Sequence, residues 1–167
     1  MTCFEDVFED RRGFFNSCSD WFNCNDDIDR TTLEISVPRN SPLRFEGINV
    51  DMTISGITGN TQIGIVNGPI AASDLSGRID IETVNGKIET SGLDGRIALS
   101  AVNGLIRDRG SKGNGVSFST VNGSIIANTC AQRIDAESVS GAVELDLGEV
   151  DDLEASSVLP GCWYYWI

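Results

Sequence analysis

The chain has 167 residues, 40% apolar and 22% charged, which is enough for one domain with a sizeable core. Its net charge of -13 sets 12 basic residues against 25 acidic ones, which argues against nucleic acid and anionic membrane surfaces as partners, since both require clustered Lys and Arg. There is no histidine, hence no His-based triad or imidazole base, and no run of 18 apolar residues that would span a membrane as a helix.

Residues 1–30 form an acidic, aromatic segment. Phe4, Val7, Phe8 and Phe15 fit one face of a short helix, and Phe14, Trp21 and Phe22 lie in the same stretch. The opening MTCFEDVFEDRRG carries acids where a secretion signal carries a basic and then an apolar region, so no export signal is expected in this sequence. The five cysteines are Cys3, Cys18, Cys24, Cys130 and Cys162; they form no CxxC, and their spacing gives no zinc pattern. Free thiols are expected, with a Cys18–Cys24 disulfide as the alternative in an oxidising compartment.

Residues 31–158 carry an internal repeat. The phrase VNG starts at Val66, Val84, Val102 and Val121, and VSG starts at Val139, giving spacings of 18, 18, 19 and 18. Weaker turns fall halfway, at Gly59, Gly77 and Gly95. The unit is therefore 18 residues in two halves, each a short strand and a turn, and a fixed period of this kind marks a solenoid. Arg78 to Glu82 alternates polar and apolar as a half-buried strand does. Apolar columns repeat in phase: Ile79, Ile97, Val116, Ile134 and Leu153; Ile81, Leu99, Phe118, Ala136 and Ala155; Ile70, Ile88, Ile106, Ile125 and Val143. The fold expected is all-β, a β-solenoid of about seven coils with two short strands per coil.

Asn-Gly between strands is also the signature of a two-residue hairpin, so an antiparallel meander is the alternative. The two differ at the valines. A hairpin would put Val84 on the face opposite Ile79 and Ile81, whereas a solenoid corner can turn Val66, Val84, Val102, Val121 and Val139 inward to be buried and stacked. Asn49, Asn67, Asn85, Asn103 and Asn122 would then form a side-chain ladder, as stacked parallel strands allow.

The repeat breaks at Arg107–Asn114, which holds the one-residue insertion and three basic residues, Arg107, Arg109 and Lys112. It reads as a bulged loop on a rigid scaffold and is the candidate interaction loop. Cys130 aligns with Leu75 and Leu93 and reads as a small apolar corner residue. Residues 159–167 form a tail with Trp163, Tyr164, Tyr165 and Trp166. Only Phe45 and Phe118 among the aromatics lie inside the repeat, so both aromatic clusters are expected to cap the open ends of the solenoid.

The phrase LSGRIDIETVNGKIE from Leu75 to Glu89 resembles a bacterial adhesin-like family with β-strand repeats, a domain of unknown function. RIDAESVSGAVEL from Arg133 to Leu145 and TLEISVPRN from Thr32 to Asn40 are similar to it as well. The resemblance covers about residues 31–158. It implies a β-solenoid exported to the cell envelope, with no catalytic residues. The acidic start and the Leu159-Pro160-Gly161 turn depart from its pattern, and a cytoplasmic location stays open beside the envelope.

Little in the chain points to chemistry. It has no P-loop, GxSxG or dinucleotide fingerprint. The nine-residue half-period lacks the GGxGxD of calcium-binding repeats, and the column Ile65, Thr83, Ala101, Thr120, Ser138, Ser157 is too irregular for an ice-binding face. Carboxylate pairs such as Asp80 with Glu82 admit a carbohydrate-active solenoid enzyme as a distant alternative. The leading expectation is a non-catalytic scaffold or adhesion module of the cell envelope with a protein or glycan partner. No catalytic, metal-binding or cofactor-binding residue is expected. A self-assembling structural protein, with terminal coils stacking into filaments, is the nearer alternative.

Overall fold

The computed structural model describes residues 34–158 and the strand at 162–166. The chain divides into two compact units, Met1–Ile35 and Ser36–Ile167. The described residues belong almost wholly to the second. The expected cap at residues 1–30 and the Cys18–Cys24 pair lie outside the described residues.

The second unit is a β-solenoid. Among the described residues its strands are β1 (Leu43–Asn49), β2 (Met52–Ser55), β3 (Thr61–Asn67), β4 (Ile70–Ser73), β5 (Ser76–Asn85), β6 (Ile88–Ser91), β7 (Asp94–Ala131), β8 (Arg133–Ser140), β9 (Val143–Leu147), β10 (Asp152–Ser157) and β11 (Cys162–Trp166). Every strand pairing is parallel, which rules out the meander. A first face stacks β1, β3, β5, two stretches of β7, β8 and β10; a second stacks β2, β4, β6, two further stretches of β7, β9 and β11. β7 runs 38 residues, across two Asn-Gly corners and the middle corner between them, where Gly110 and Gly113 take positive φ.

The register follows the repeat. Leu43 pairs with Thr61, Thr61 with Ile79, Ile79 with Ile97, Val116 with Ile134, and Ile134 with Leu153. With the step inside β7 this makes about six turns, one fewer than expected. The C-terminal tail also differs from the expected cap. Cys162–Trp166 extends the second face, pairing in register with Val143–Leu147.

Inward columns form a continuous core. Ile79, Ile81, Ile88, Leu93, Ile97, Leu99, Ile106 and Phe118 are all at most 1% exposed. Like residues stack because a parallel in-register step carries each side chain onto its equivalent one strand spacing, about 4.8 Å, away. The middle corner adds a third line of hydrogen bonds: the amides of Ser76, Asp94 and Lys112 donate to the carbonyls of Ile57, Leu75 and Leu93 at 2.7–2.9 Å.

The valines overturn one expectation. Val66, Val84, Val102, Val121 and Val139 are not buried; they are 38–45% exposed and stack in a stripe with Ile48 and Val158. The strand does not bend between Thr83 and Val84. Alternation continues, so Thr83 points in, Val84 out, and the turn falls at Asn85-Gly86. The column Thr83, Ala101, Thr120, Ser138, weighed as a possible outer face, is accordingly buried.

Glycine at that turn is required by proximity. A Cβ on Gly104 would run into the carbonyl oxygen of Gly86, and one on Gly123 into that of Gly104. Corner backbones pass too closely for any side chain.

Candidate functional site

The expected amide ladder is present as a chain of hydrogen bonds. Nδ2 of Asn67 donates to Oδ1 of Asn49 (2.9 Å), Asn85 to Asn67 (3.0 Å), Asn103 to Asn85 (2.9 Å) and Asn122 to Asn103 (3.1 Å). Asn67, Asn85 and Asn103 each donate to one neighbour and accept from the next, while Asn49 accepts and Asn122 donates at the ends, so the ladder secures the corner. Its place beside the valine stripe makes it a structural seam.

The candidate interaction loop is not a protruding loop. Arg107 and Arg109 lie within β7, paired with Glu89 and Ser91 of β6, and both face outward on the second face. Lys112 sits at the middle corner through its amide bond to Leu93. Gly113 stacks closely on Gly95, so the extra residue is absorbed after it, before Val116 regains the column of Ile97. Arg107, Arg109 and Glu89 border a shallow cleft of about 180 Å³ floored by Ala71, Ser73 and Ser91. Glu89 pairs with Lys87 at 2.6 Å. That hydrogen bond, and then the charges of Lys87, Arg107 and Arg109, hold its carboxyl below the usual glutamate range.

Between the two arginines, Asp108 points the other way and is 1% exposed. Its Oδ1 accepts from Thr90 Oγ1 (2.6 Å) and Ser111 Oγ (2.5 Å), while Oδ2 has no hydrogen-bond partner. Burial pushes its carboxyl above the usual aspartate range, and the hydroxyls of Ser111 and Thr90 oppose the shift. Thr129 Oγ1 donates to the Ser111 carbonyl (2.9 Å), extending this polar patch into the next coil. Ser111 occupies the corner that Leu75 and Leu93 fill in earlier coils. One coil later the corner shifts by one residue. Ala131 is buried there and Cys130 is exposed, contrary to the expectation for Cys130.

The larger concavity lies on the first face. Its outward columns begin Arg78, Arg96, Gly115, Arg133 and, one position on, Asp80, Ala98, Ser117, Asp135. Three arginines thus share a column interrupted by one glycine, and the next column narrows to Ala98 and Ser117 at the same rungs. A cleft of about 310 Å³ opens there, floored by Gly115, Ala98 and Ser117 and bordered by the arginines with Asp80 and Asp135. Arg133 is held by Asp152, with Nε and Nη2 at 2.9 and 2.7 Å from Oδ2. Arg78 and Arg96 are exposed, and their guanidinium groups make no hydrogen bond or ion pair among the described residues.

Sequence reasoning passed over Arg78, Arg96, Gly115 and Arg133. The signal was available: aligning the outward columns, not only the inward ones, reads Arg, Arg, Gly, Arg. Among the described residues no three of His, Cys, Asp and Glu come together as a metal-binding group, and no helix is long and apolar enough to cross a membrane. Comparison of the chain with protein-family models, curated proteins and solved structures gives no match.

Proposed function

We propose that the chain is a non-catalytic interaction module in which the solenoid acts as a rigid scaffold and the first face carries the binding surface. The observation behind this reading is the cleft at Gly115. Inward columns must repeat because they stack, but nothing in the stacking requires the outward columns to collapse to Gly, Ala and Ser at two neighbouring rungs. Small residues and glycine are poor strand formers, and a strand glycine often marks the close approach of a ligand. The acids bordering the cleft are poorly spaced for hydrolysis. Asp80 and Asp135 stand three rungs apart, about 14 Å, where a glycosidic acid–base pair works at about 5–9.5 Å. A cell-envelope location is supported by the resemblance of the repeat phrase and belongs to the same proposal.

The test uses beads coated with the full chain and challenged with cell-wall and cell-surface preparations. Retention is expected on the unaltered chain and not on a Gly115→Leu variant of unchanged melting temperature, and the retained material should be recovered chemically unaltered. Equal retention by the two proteins, or steady release of cleaved product, overturns the proposal.

A further inference from the structure

Resting on the reading of the first face as a binding surface, we infer that the cleft between Arg96 and Arg133 takes a saccharide bearing a single anionic group, a carboxylate or a phosphate. Arg78 and Arg96 occupy adjacent rungs, so two like charges stand about one strand spacing, roughly 4.8 Å, apart at the backbone. Like charges opposed in a ladder repel and weaken it, and no carboxylate of the described residues pairs with either. The other two arginines in the strands of the first face are matched, Arg44 with Glu46 and Arg133 with Asp152. Two unmatched guanidinium forks beside an open floor are an arrangement suited to a planar or tetrahedral oxyanion, which Arg binds through paired N–H donors.

The rest of the cleft limits how much charge the ligand carries. Asp80 and Asp135 border it, and carboxylates only accept hydrogen bonds, so they suit the hydroxyls of a sugar. Ser117 adds a hydroxyl that both donates and accepts. The net charge of -13 repels a densely charged polyanion at long range. A ligand with one anionic group satisfies the arginines without meeting that field along its length, and its polyol part satisfies the acids.

Gly115 supplies the space. A Cβ there meets nothing closer than the Arg133 carbonyl at 3.9 Å, and its backbone is not in the left-handed region, so neither conformation nor crowding requires glycine. What glycine does at this position is leave out the side chain that Arg78, Arg96 and Arg133 have. A larger residue would occupy the cleft without straining the coil.

The experiment is isothermal titration of the full chain with four probes: an oligosaccharide ending in a uronic acid, its carboxyl-reduced neutral counterpart, a sugar phosphate, and heparin. The expected result is binding of the uronate or the sugar phosphate, with whichever binds identifying the source of the anion. The neutral counterpart should bind at least tenfold more weakly, and heparin should bind no more tightly than the singly charged ligand. The Arg78→Gln/Arg96→Gln double variant should lose at least tenfold, and Gly115→Leu should lose binding while keeping its melting temperature. Equal affinity for acid and neutral sugar, an unaffected double arginine variant, or tightest binding by heparin each overturn the inference. If no saccharide binds while Gly115→Leu still abolishes retention on cell-surface preparations, the saccharide inference fails and the interaction module stands. If Gly115→Leu leaves retention unchanged as well, both fail.

Discussion

Replacing Gly104 by Ala tests whether the corners stack as tightly as the backbone geometry requires. Gly104 lies between Gly86 and Gly123, and its added methyl would be driven into the Gly86 carbonyl. The coils cannot move apart to admit it, because parallel ladders on both faces hold Asn85 to Asn103 and Ile88 to Ile106 in register. The strain must go into local distortion, which for an overpacked site costs about 1–3 kcal/mol, and the rigid surroundings put this case near about 3. A domain of this size has roughly 5–15 kcal/mol in total, so the loss is a large share of it. At about 3 °C per kcal/mol the melting temperature should fall by about 10 °C. The control is Gly115→Ala, where the new methyl has open space and the change should stay within about 0.5 kcal/mol. Urea melts followed by far-ultraviolet circular dichroism give both values. Equal stability of the two variants would refute close stacking at the Asn-Gly corner.

Three further outcomes follow from burial and charge. Leu99→Ala, at 1% exposure between Ile81 and Phe118 in its column, should cost about 2–4 kcal/mol, while Glu89→Gln on the second face should change stability by less than about 0.5; comparable losses in denaturant melts would mean the inward phase is misassigned. Val102→Thr keeps the branched shape on an outward position and should stay within about 0.5 kcal/mol, a result that burial of this valine would not permit. Asp108→Asn should remove a specific pH dependence. The folded-state carboxyl titrates above the ordinary 3.8, so its protonated form stabilises the fold below that value and this contribution is lost as pH rises through the raised folded value. The stability difference between wild type and variant, followed by melts from pH 3 upward, should move against the wild type; a flat difference would mean the carboxyl is not desolvated.

The coil, its two faces and its register were legible because one physical fact dominates them. A parallel in-register stack demands the same residue class at each inward position, and Ile79, Ile97, Val116 and Ile134 meet that demand visibly in the sequence. Corner geometry was not legible. Val84 could turn in or stay out depending on whether the chain bends before or after it, and both options carry the same apolar letter at the same period. The bend lies at Asn85-Gly86, where the column Gly68, Gly86, Gly104 and Gly123 lets backbones approach. Cys130 was misplaced for a related reason. After the insertion the corner slips by one residue, and a column alignment at fixed offset cannot see which of Cys130 and Ala131 faces the core. The Arg107–Asn114 segment looked like a loop by composition, yet its alternation of outward Arg107, inward Asp108 and outward Arg109 is that of a strand.

The same asymmetry between inside and outside says where function can reside on such a scaffold. An inward position is answerable to two neighbours, above and below, so a departure such as Asp108 must be met by compensating groups, here Thr90 and Ser111. An outward position is answerable to far less, and its columns can vary rung by rung without loss of fold. An abrupt change in an outward column is therefore not dictated by the stacking. On the first face the abrupt change is a single rung, from Arg96 to Gly115 and back to Arg133, with Ala98 and Ser117 narrowing beside it. On the second face the change is a reversal of charge from Glu89 to Arg107. The second sets Arg107 directly opposite the contrary charge of Glu89, although neither Arg107 nor Arg109 forms an ion pair among the described residues. The first leaves two guanidinium groups unmatched and a space beside them. Like charge stacked on like beside that space is the reason the Gly115 cleft, rather than the basic stretch that composition singles out, carries the binding surface proposed above.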